Sequence, residues 1–275
     1  MKMEKQQIGV IGAGNMAEAL IHGMITSMRF SSQSILVSNR SNRDRLAYLS
    51  KKYKVKTTDK KSLVEQSDVI VLAMKPQDIF SVIEEIKVWM RPNQLCISIA
   101  AGIEMASLQK ASGLELSIIR AMPNTSAKVL CSATAIAKGE NVTEEQMELA
   151  RKIFSCVGTV REVAEEQMDV VTGLSGSGPA YVYSFLEAMI DGGHHLGLSQ
   201  KESTELVLQT LRGAIEMMTA TGMKPSELSK QICSPNGTTV AGLAVLNQNH
   251  FKESVMEAIK AATLRSKELR KSIQS

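Results

Sequence analysis

Residues 8–17 read IGVIGAGNMA: a short apolar run leads into a glycine-rich turn, and a helical pattern follows. Gly12, Gly14 and Ala17 have the G-x-G-x-x-A spacing. In this pattern the first glycine allows a tight turn, the second lets the backbone approach a pyrophosphate, and the small third residue lets the helix pack on the strand. Because a helix N-terminus offers free N–H groups to an anion, the stretch predicts a dinucleotide site between a strand and a helix.

The same alternation of strand and helix continues to about residue 160. Val69–Ala73 is wholly apolar, as a strand buried on both faces of a parallel sheet should be. The other predicted strands are Ile8–Ile11, Ile35–Ser38, Leu95–Ile99, Ser117–Arg120 and Ala133–Ala137. Predicted helices lie between them at Ala17–Thr26, Arg43–Lys52 and Gln77–Met90. This alternation is typical of βαβ units around a parallel sheet.

The second half of the chain has helical patterns and no convincing strand from Glu165 onward. Ser199 and Glu202 have the spacing of a capping box, which predicts the start of a helix. The predicted helices are Pro179–Leu196, a helix from this box to about Thr219, a short helix ending near Ile232, Thr238–Asn247 and Lys252–Ser272. The expected fold is therefore α/β, with a Rossmann-type domain over residues 1–163 and an all-helical domain over residues 164–275.

Composition excludes several classes of protein. Aromatic residues make up 4% of the chain and the net charge of +4 comes from scattered residues, so neither base stacking nor a nucleic-acid surface is expected. The four cysteines form no CxxC pair, which argues against a disulfide framework or a zinc site and for a reducing compartment. The start lacks a signal-peptide core and no apolar run reaches roughly 18 residues. We therefore predict a cytoplasmic protein without a metal, a nucleic-acid partner or a membrane anchor.

The end of the second predicted strand indicates which dinucleotide binds. NAD-binding enzymes place there an acidic residue that accepts a hydrogen bond from the ribose 2′-OH. This chain has no such residue, and the sequence reads Asn39-Arg40-Ser41. The planar, permanently charged guanidinium of Arg40, with short donors beside it, suits a 2′-phosphate. NADP(H) is the predicted cofactor, with NAD(H) as the alternative.

The carboxyl ends of parallel strands line the ligand crevice of such sheets. Lys75 could equally be a phosphate neighbour or a solvated lysine, and tight packing explains the small residues Ala100 and Ala101 as well as a ligand does. The predicted cofactor residues are Ile11, Gly12, Ala13, Gly14, Asn15, Met16, Asn39, Arg40, Ser41, Ala73, Met74, Lys75, Pro76, Ala100, Ala101, Met122, Pro123 and Asn124.

Several segments together resemble the pyrroline-5-carboxylate reductase family. They are the loop at residues 12–17, AMKP at residues 73–76, MPNT at residues 122–125, TGLSGSGPAY at residues 172–181 and SPNGTTVAG at residues 234–242. The resemblance covers nearly the whole chain, and the last two segments are highly specific. It implies NADPH-dependent reduction of 1-pyrroline-5-carboxylate to L-proline, the last step of proline biosynthesis. It also implies homodimers formed by interlocked helical domains, often assembled further into decamers, with the substrate near the dimer interface.

The resemblance also assigns the substrate residues. It places the carboxylate of the imino acid at Gly237, Thr238 and Thr239, with Thr239 as the candidate catalytic residue. Glu165, Ser175 and Gly176 are the further substrate candidates.

Three positions depart from the family pattern. Asn236 replaces a usual glycine, and asparagine tolerates the left-handed conformation that such a turn needs. Lys60 stands where the family often has an asparagine near the cofactor, so no role is carried over to it. Ser126 replaces a frequent proline.

Two other functions remain open at this point. A β-hydroxyacid dehydrogenase has a similar two-domain plan, but its family carries a proton-donating lysine four residues beyond a comparable glycine, where this chain has Val182 after Gly178. A ketone needs such a donor on reduction, whereas a protonated cyclic imine does not. A cofactor-binding sensor without turnover would not need the loop at residues 234–239.

Overall fold

The structure, a computed structural model, describes residues 6–92 and 94–274. Eight strands lie in this part of the chain: β1 Ile8–Ile11, β2 Ile35–Ser38, β3 Lys56–Thr57, β4 Val69–Leu72, β5 Leu95–Ser98, β6 Ser117–Met122, β7 Ser132–Lys138 and β8 Gly158–Glu162. The α-helices are α1 Asn15–Thr26, α2 Arg43–Tyr53, α3 Lys60–Gln66, α4 Ile79–Ile86, α5 Met105–Ser112, α6 Glu144–Ser155, α7 Met168–Val171, α8 Gly178–His195, α9 Gln200–Thr221, α10 Pro225–Gln231, α11 Thr238–Gln248 and α12 Phe251–Gln274.

The strands form one sheet in the order β3-β2-β1-β4-β5-β6-β7-β8. All neighbouring pairs are parallel except β6 and β7. The chain moves outward from β1 to β2 and β3, then returns to place β4 on the other side of β1. Ligands of open parallel sheets bind where the order reverses in this way. The carboxyl ends of β2, β1, β4, β5 and β6, in this spatial order, form one edge of the sheet, which we call the nucleotide edge.

The apolar runs form this sheet because both of its faces are covered. Along β4, Val69 and Val71 pack into the core on one face, whereas Ile70 and Leu72 pack into the core on the other. Successive strand side chains point to opposite faces, so a strand buried on both sides must be apolar throughout. Full burial of each such side chain stabilises the fold by about 1.5–3 kcal/mol.

The strand predictions hold to within one or two residues at each end, and the α/β fold is confirmed. The edge strands β3 and β8 were not predicted. β3 has two residues, and β8 carries Arg161 and Glu162 and is largely exposed, so neither shows an apolar run. Helices α3, α5 and α6 were likewise not predicted. The predicted helix 77–90 is α4 flanked by two 3-10 turns.

The second half is helical as predicted, with no strand between residues 165 and 274. The capping box at the start of α9 is confirmed: the Ser199 hydroxyl accepts from the backbone N–H of Glu202, and the Glu202 carboxylate accepts from the N–H of Ser199 at 2.9 Å. None of the helices in the described ranges is long and apolar enough to cross a membrane.

The chain divides into two compact units. The first contains the sheet, the segment up to Ser177 and the end of α12 from Ala261; the second is Gly178–Lys260. In the first unit Arg270 pairs with Glu104 and, at 3.2 Å, with the buried carboxylate of Asp169. The end of the chain is thereby tied to the sheet unit. The predicted functional boundary at residue 163 stays a prediction.

Candidate functional site

The glycine turn is pressed against the end of a neighbouring strand. Gly12 has a φ of 114°, and a Cβ built on it would lie 2.2 Å from the carbonyl oxygen of Ala73. Its N–H donates to the carbonyl of Ser38 at 2.8 Å, and the N–H of Ala73 donates to the carbonyl of Ile11 at 2.8 Å. The turn therefore begins where β1, β2 and β4 end together, and glycine is required there.

The first turn of α1 is open to a ligand. Gly14 is its N-cap, with extended dihedral angles and no side-chain cap, and a Cβ built on Gly14 meets no atom within 4 Å. The first N–H groups of a helix have no intrahelical partner, so those of Asn15 and Met16 remain available to an anion. Ala17 is fully buried against the core, as its small size requires. The turn fits a phosphate group.

Behind the turn lies a charged cluster that no sequence motif indicates. The Nε of Arg45 on α2 donates to the carbonyl of Ala13 at 2.8 Å, and the same guanidinium pairs with Glu18 on α1. Burial by itself would raise the pKa of Glu18, but hydrogen bonds from Lys52, Arg45 and Tyr53 outweigh it and lower the pKa from 4.5 to about 2. We call Arg45, Glu18, Lys52 and Tyr53 the loop-support cluster.

The segment after β2 presents an available guanidinium. The side chain of Arg40 is 88% exposed and lies 3.9 Å from the carboxylate of Asp78, in the 3-10 turn after β4. The Asn39 side chain donates to the carbonyl of Asn42 at 2.8 Å and so shapes the turn. Ser41 is exposed. Arg40 is therefore exposed near the nucleotide edge with a long ion pair to Asp78, and its predicted role stays a prediction.

The other predicted cofactor residues lie along the same edge. Ala73 and Met74 are partly buried after β4, Lys75 is exposed, and Pro76 begins the 3-10 turn. Ala100 is buried and Ala101 partly buried after β5, and Met122 and Pro123 are buried at the end of β6. The fold thus brings the predicted set together, because the ends of parallel strands meet at one edge.

Asn124 connects this edge to the next predicted site. Its side-chain amide donates to the carbonyl of Ser175 at 3.0 Å, and its side-chain oxygen accepts from the N–H of Ser126 at 3.2 Å. Ser175 and Gly176 belong to a π-helical turn, Thr172–Gly176, and a Cβ on Gly176 would lie 3.9 Å from the sulfur of Met122. Such turns occur frequently at functional sites. Ser175 and Gly176 are therefore next to the end of β6.

Glu165 is held by a buried cation. Its Oε1 accepts from the guanidinium of Arg120 at 2.9 Å and from the backbone N–H of Met105 at 2.8 Å. The Arg120 side chain is 4% exposed and that of Glu165 25%. This gives Glu165 a structural role, and contact with a substrate stays a prediction.

The loop at residues 234–239 lies in the second compact unit. Asn236 has a φ of 58°, so the expected left-handed residue is present. The N–H of Gly237 donates to the carbonyl of Ser234 at 2.9 Å, and Gly237 is the N-cap of α11 without a side-chain cap. The first N–H groups of α11 at Thr238 and Thr239 therefore lack an intrahelical partner. This turn also fits an anion.

Lys60, which departs from the family pattern, forms an ion pair with another part of the sheet domain. Lys60 pairs with Glu85 on α4, and its side chain is 16% exposed. This ion pair accounts for the lysine by a structural role, without contact to a cofactor. The described residues contain no group of three or more His, Cys, Asp or Glu side chains that could hold a metal ion.

The reversing parallel sheet, the open glycine turn at the reversal and the arginine after β2 define a nicotinamide-dependent oxidoreductase with a Rossmann-type domain. A family model described as "NADP oxidoreductase coenzyme F420-dependent" matches residues 7–102. A second, described as "Pyrroline-5-carboxylate reductase dimerisation", matches residues 165–269.

Similarity to characterised proteins and to solved structures shows the family of this chain. Pyrroline-5-carboxylate reductase 1 of Bacillus spizizenii is 40% identical over 272 residues, which cover 98% of this chain and 92% of the relative. The structure of a pyrroline-5-carboxylate reductase from Coxiella burnetii has a TM-score of 0.91 and 36% identity, covering 97% of this chain and 99% of that one. The structure of the Plasmodium falciparum pyrroline carboxylate reductase with NADP bound has a TM-score of 0.88 and 33% identity. The match covers 98% of this chain and 100% of that one.

This chain belongs to the pyrroline-5-carboxylate reductase family. The dehydrogenase and sensor alternatives are not favoured by these similarities.

Proposed function

We propose that the protein reduces 1-pyrroline-5-carboxylate to L-proline with NADPH. One observation carries the proposal: two helices, α1 and α11, each begin at a glycine N-cap without a side-chain cap. Each offers unpaired N–H groups and the positive end of a helix dipole to an anion. The reaction has two such anions, the cofactor pyrophosphate and the substrate carboxylate.

The cofactor residues fit NADP(H). The turn at Gly12–Ala17 would hold the pyrophosphate, and Arg40 with Ser41 would hold the 2′-phosphate, because a guanidinium suits a phosphate. The segments at residues 73–76, 100–101 and 122–124 would line the remaining nucleotide edge. When bound, the cofactor supplies the hydride. NADPH is the proposed preference, with NADH as the weaker alternative.

The substrate residues need to do little chemistry. A protonated cyclic imine is an iminium whose ring carbon accepts a hydride, and the product nitrogen becomes a neutral amine without a proton transfer in the same step. The chain's part is then positioning. Thr238 and Thr239 would hold the carboxylate, with Thr239 nearest the reacting ring, and Glu165, Ser175 and Gly176 are the proposed residues on the substrate side.

The helical half is the proposed dimerisation region. Many large apolar side chains there are exposed in the single chain, including Leu206, Leu208, Ile215, Val245 and Leu246. Exposed apolar surface of this extent is typical of interaction sites. A homodimer, with decamers as the larger assembly, and a cytoplasmic location complete the proposal; light scattering of the purified protein tests the assembly.

The deciding experiment mixes the protein with NADPH and pyrroline-5-carboxylate. Loss of the nicotinamide absorbance with formation of proline is the expected result. Turnover with 3-hydroxy acids alone would support the dehydrogenase, and binding without turnover the sensor.

A pair of variants tests the carboxylate loop. Thr238→Val with Thr239→Val should raise the KM for the imino acid at least tenfold, because two hydroxyl donors are lost. Thr159→Val removes a single threonine hydroxyl on the edge strand β8 and should leave KM unchanged.

A further inference from the structure

We propose that Arg45 is a positioning residue that keeps the glycine turn in its anion-binding shape, with Glu18 as its counter-ion. The inference rests on the proposed function, because it assumes that the pyrophosphate of a nicotinamide cofactor binds at this turn. It assigns a role to two residues outside the glycine motif, on two different helices.

The geometry gives one guanidinium two partners. Its Nε donates to the Ala13 carbonyl at 2.8 Å, and its Nη2 donates to Glu18. The backbone of Arg45 is itself anchored, since its N–H donates to the side chain of Asn42, the N-cap of α2, at 2.9 Å. The side chains of Arg45 and Glu18 are 25% and 19% exposed, so water reaches the pair only in part.

The Ala13 carbonyl is the part of the turn that needs support. It lies between two glycines, whose neighbouring peptide planes rotate more freely than others. The N–H of Gly12 is already tied to Ser38 on one side. Holding the Ala13 carbonyl toward Arg45 keeps its negative end away from the open first turn of α1. A pyrophosphate would then meet N–H groups and no carbonyl oxygen.

Without its hydrogen-bond partners, the Glu18 carboxylate would weaken the binding of a phosphate. It lies in the first turn of α1, where an unpaired carboxylate would repel a phosphate. Instead it accepts hydrogen bonds from Lys52 at 3.0 Å and Tyr53 at 2.9 Å in addition to Arg45. The charge is therefore cancelled while the carboxylate orients the guanidinium. A lysine at position 45 could not reproduce both contacts in one plane.

The test measures dissociation constants for NADPH and NADH with Arg45→Lys, Arg45→Gln and wild type. Both variants should weaken both cofactors by about the same factor, roughly tenfold, because the pyrophosphate is common to them. The kcat at saturating cofactor should stay within about twofold of wild type. Lys51→Gln removes one positive charge from α2 without touching the turn. It should change neither the dissociation constant for NADPH nor that for NADH.

Three results separate the explanations. Unchanged affinity in both Arg45 variants would overturn the proposal. Loss confined to NADPH would also overturn it, since Arg45 would then contact the 2′-phosphate. Failure of wild type to bind either cofactor would refute the proposed function itself. Circular dichroism of each variant checks that it folds.

Discussion

Gly12 and Ala73 approach each other so closely that a methyl group on Gly12 would lie 2.2 Å from the Ala73 carbonyl oxygen. Gly12→Ala should therefore lower the free energy of unfolding by about 2 kcal/mol or more, since it adds a clash to an unfavourable φ. Urea denaturation measures the loss.

Gly14→Ala is the matched comparison. Gly14 has an ordinary φ of −75° and open space where a Cβ would stand. This variant should fold with nearly wild-type stability, yet bind NADPH at least about tenfold more weakly because the methyl group meets the approaching pyrophosphate. Equal stability of the two variants would contradict the close approach at Gly12.

Arg40→Ala should weaken NADPH binding by about ten- to a hundredfold and NADH binding little. The reason is that a charge-assisted contact to a phosphate contributes about 1.5–3 kcal/mol, and NADH lacks the 2′-phosphate. Fluorescence titration with each cofactor checks this. Equal losses for both would show that Arg40 does not select the cofactor.

Asp78→Asn should strengthen NADPH binding, by up to about fivefold. The Asp78 carboxylate lies 3.9 Å from the Arg40 guanidinium and would compete with the 2′-phosphate for it. Exposed ion pairs contribute about 0–1 kcal/mol, which sets the size of the gain. Glu84→Gln removes a negative charge from the following helix, where its partner is Lys87, and should have no effect. Weaker NADPH binding by Asp78→Asn would contradict the competition.

Glu165→Ala should lower the free energy of unfolding by about 2–4 kcal/mol, because it leaves the guanidinium of Arg120, which is 4% exposed, without its carboxylate. Glu165→Gln keeps an acceptor for Arg120 and for the N–H of Met105, so its loss should be smaller. Chemical denaturation of both variants measures this. A loss below about 1 kcal/mol in Glu165→Ala would mean that water screens Arg120 more than its burial indicates.

Glu18 should make stability depend on pH. Its pKa of about 2 in the folded protein lies below the ordinary 4.5, so the unfolded chain takes up the proton first on acidification. The stabilisation is complete above about pH 4.5 and is lost as the pH falls toward 2. The difference in unfolding free energy between wild type and Glu18→Gln should therefore shrink over this window. If this difference in unfolding free energy stayed constant from pH 6 to pH 2, the prediction would be wrong.

Local features were predictable where a short segment determines its own structure. The fully apolar β4 reads as a doubly buried strand, the Ser199–Glu202 box begins α9, and Asn236 adopts the left-handed angle. The edge strand β8 escaped prediction because its exposed residues carry no apolar signal. The predicted cofactor residues share one edge because a parallel sheet aligns the ends of its strands.

By itself, the sequence determined the αβ alternation, the glycine turn, the helical second half and the family. Backbone sterics, apolar patterning and capping act over a few residues, so the first three features can be read directly, whereas the family follows from the resemblance of several motifs along the chain. The tertiary structure alone decided that Arg45 supports Ala13, that Asp78 faces Arg40 and that Asn124 joins Ser175. Each contact joins residues 32 to 51 positions apart, and only the packing of helices and strand ends brings such distant groups within 4 Å of each other.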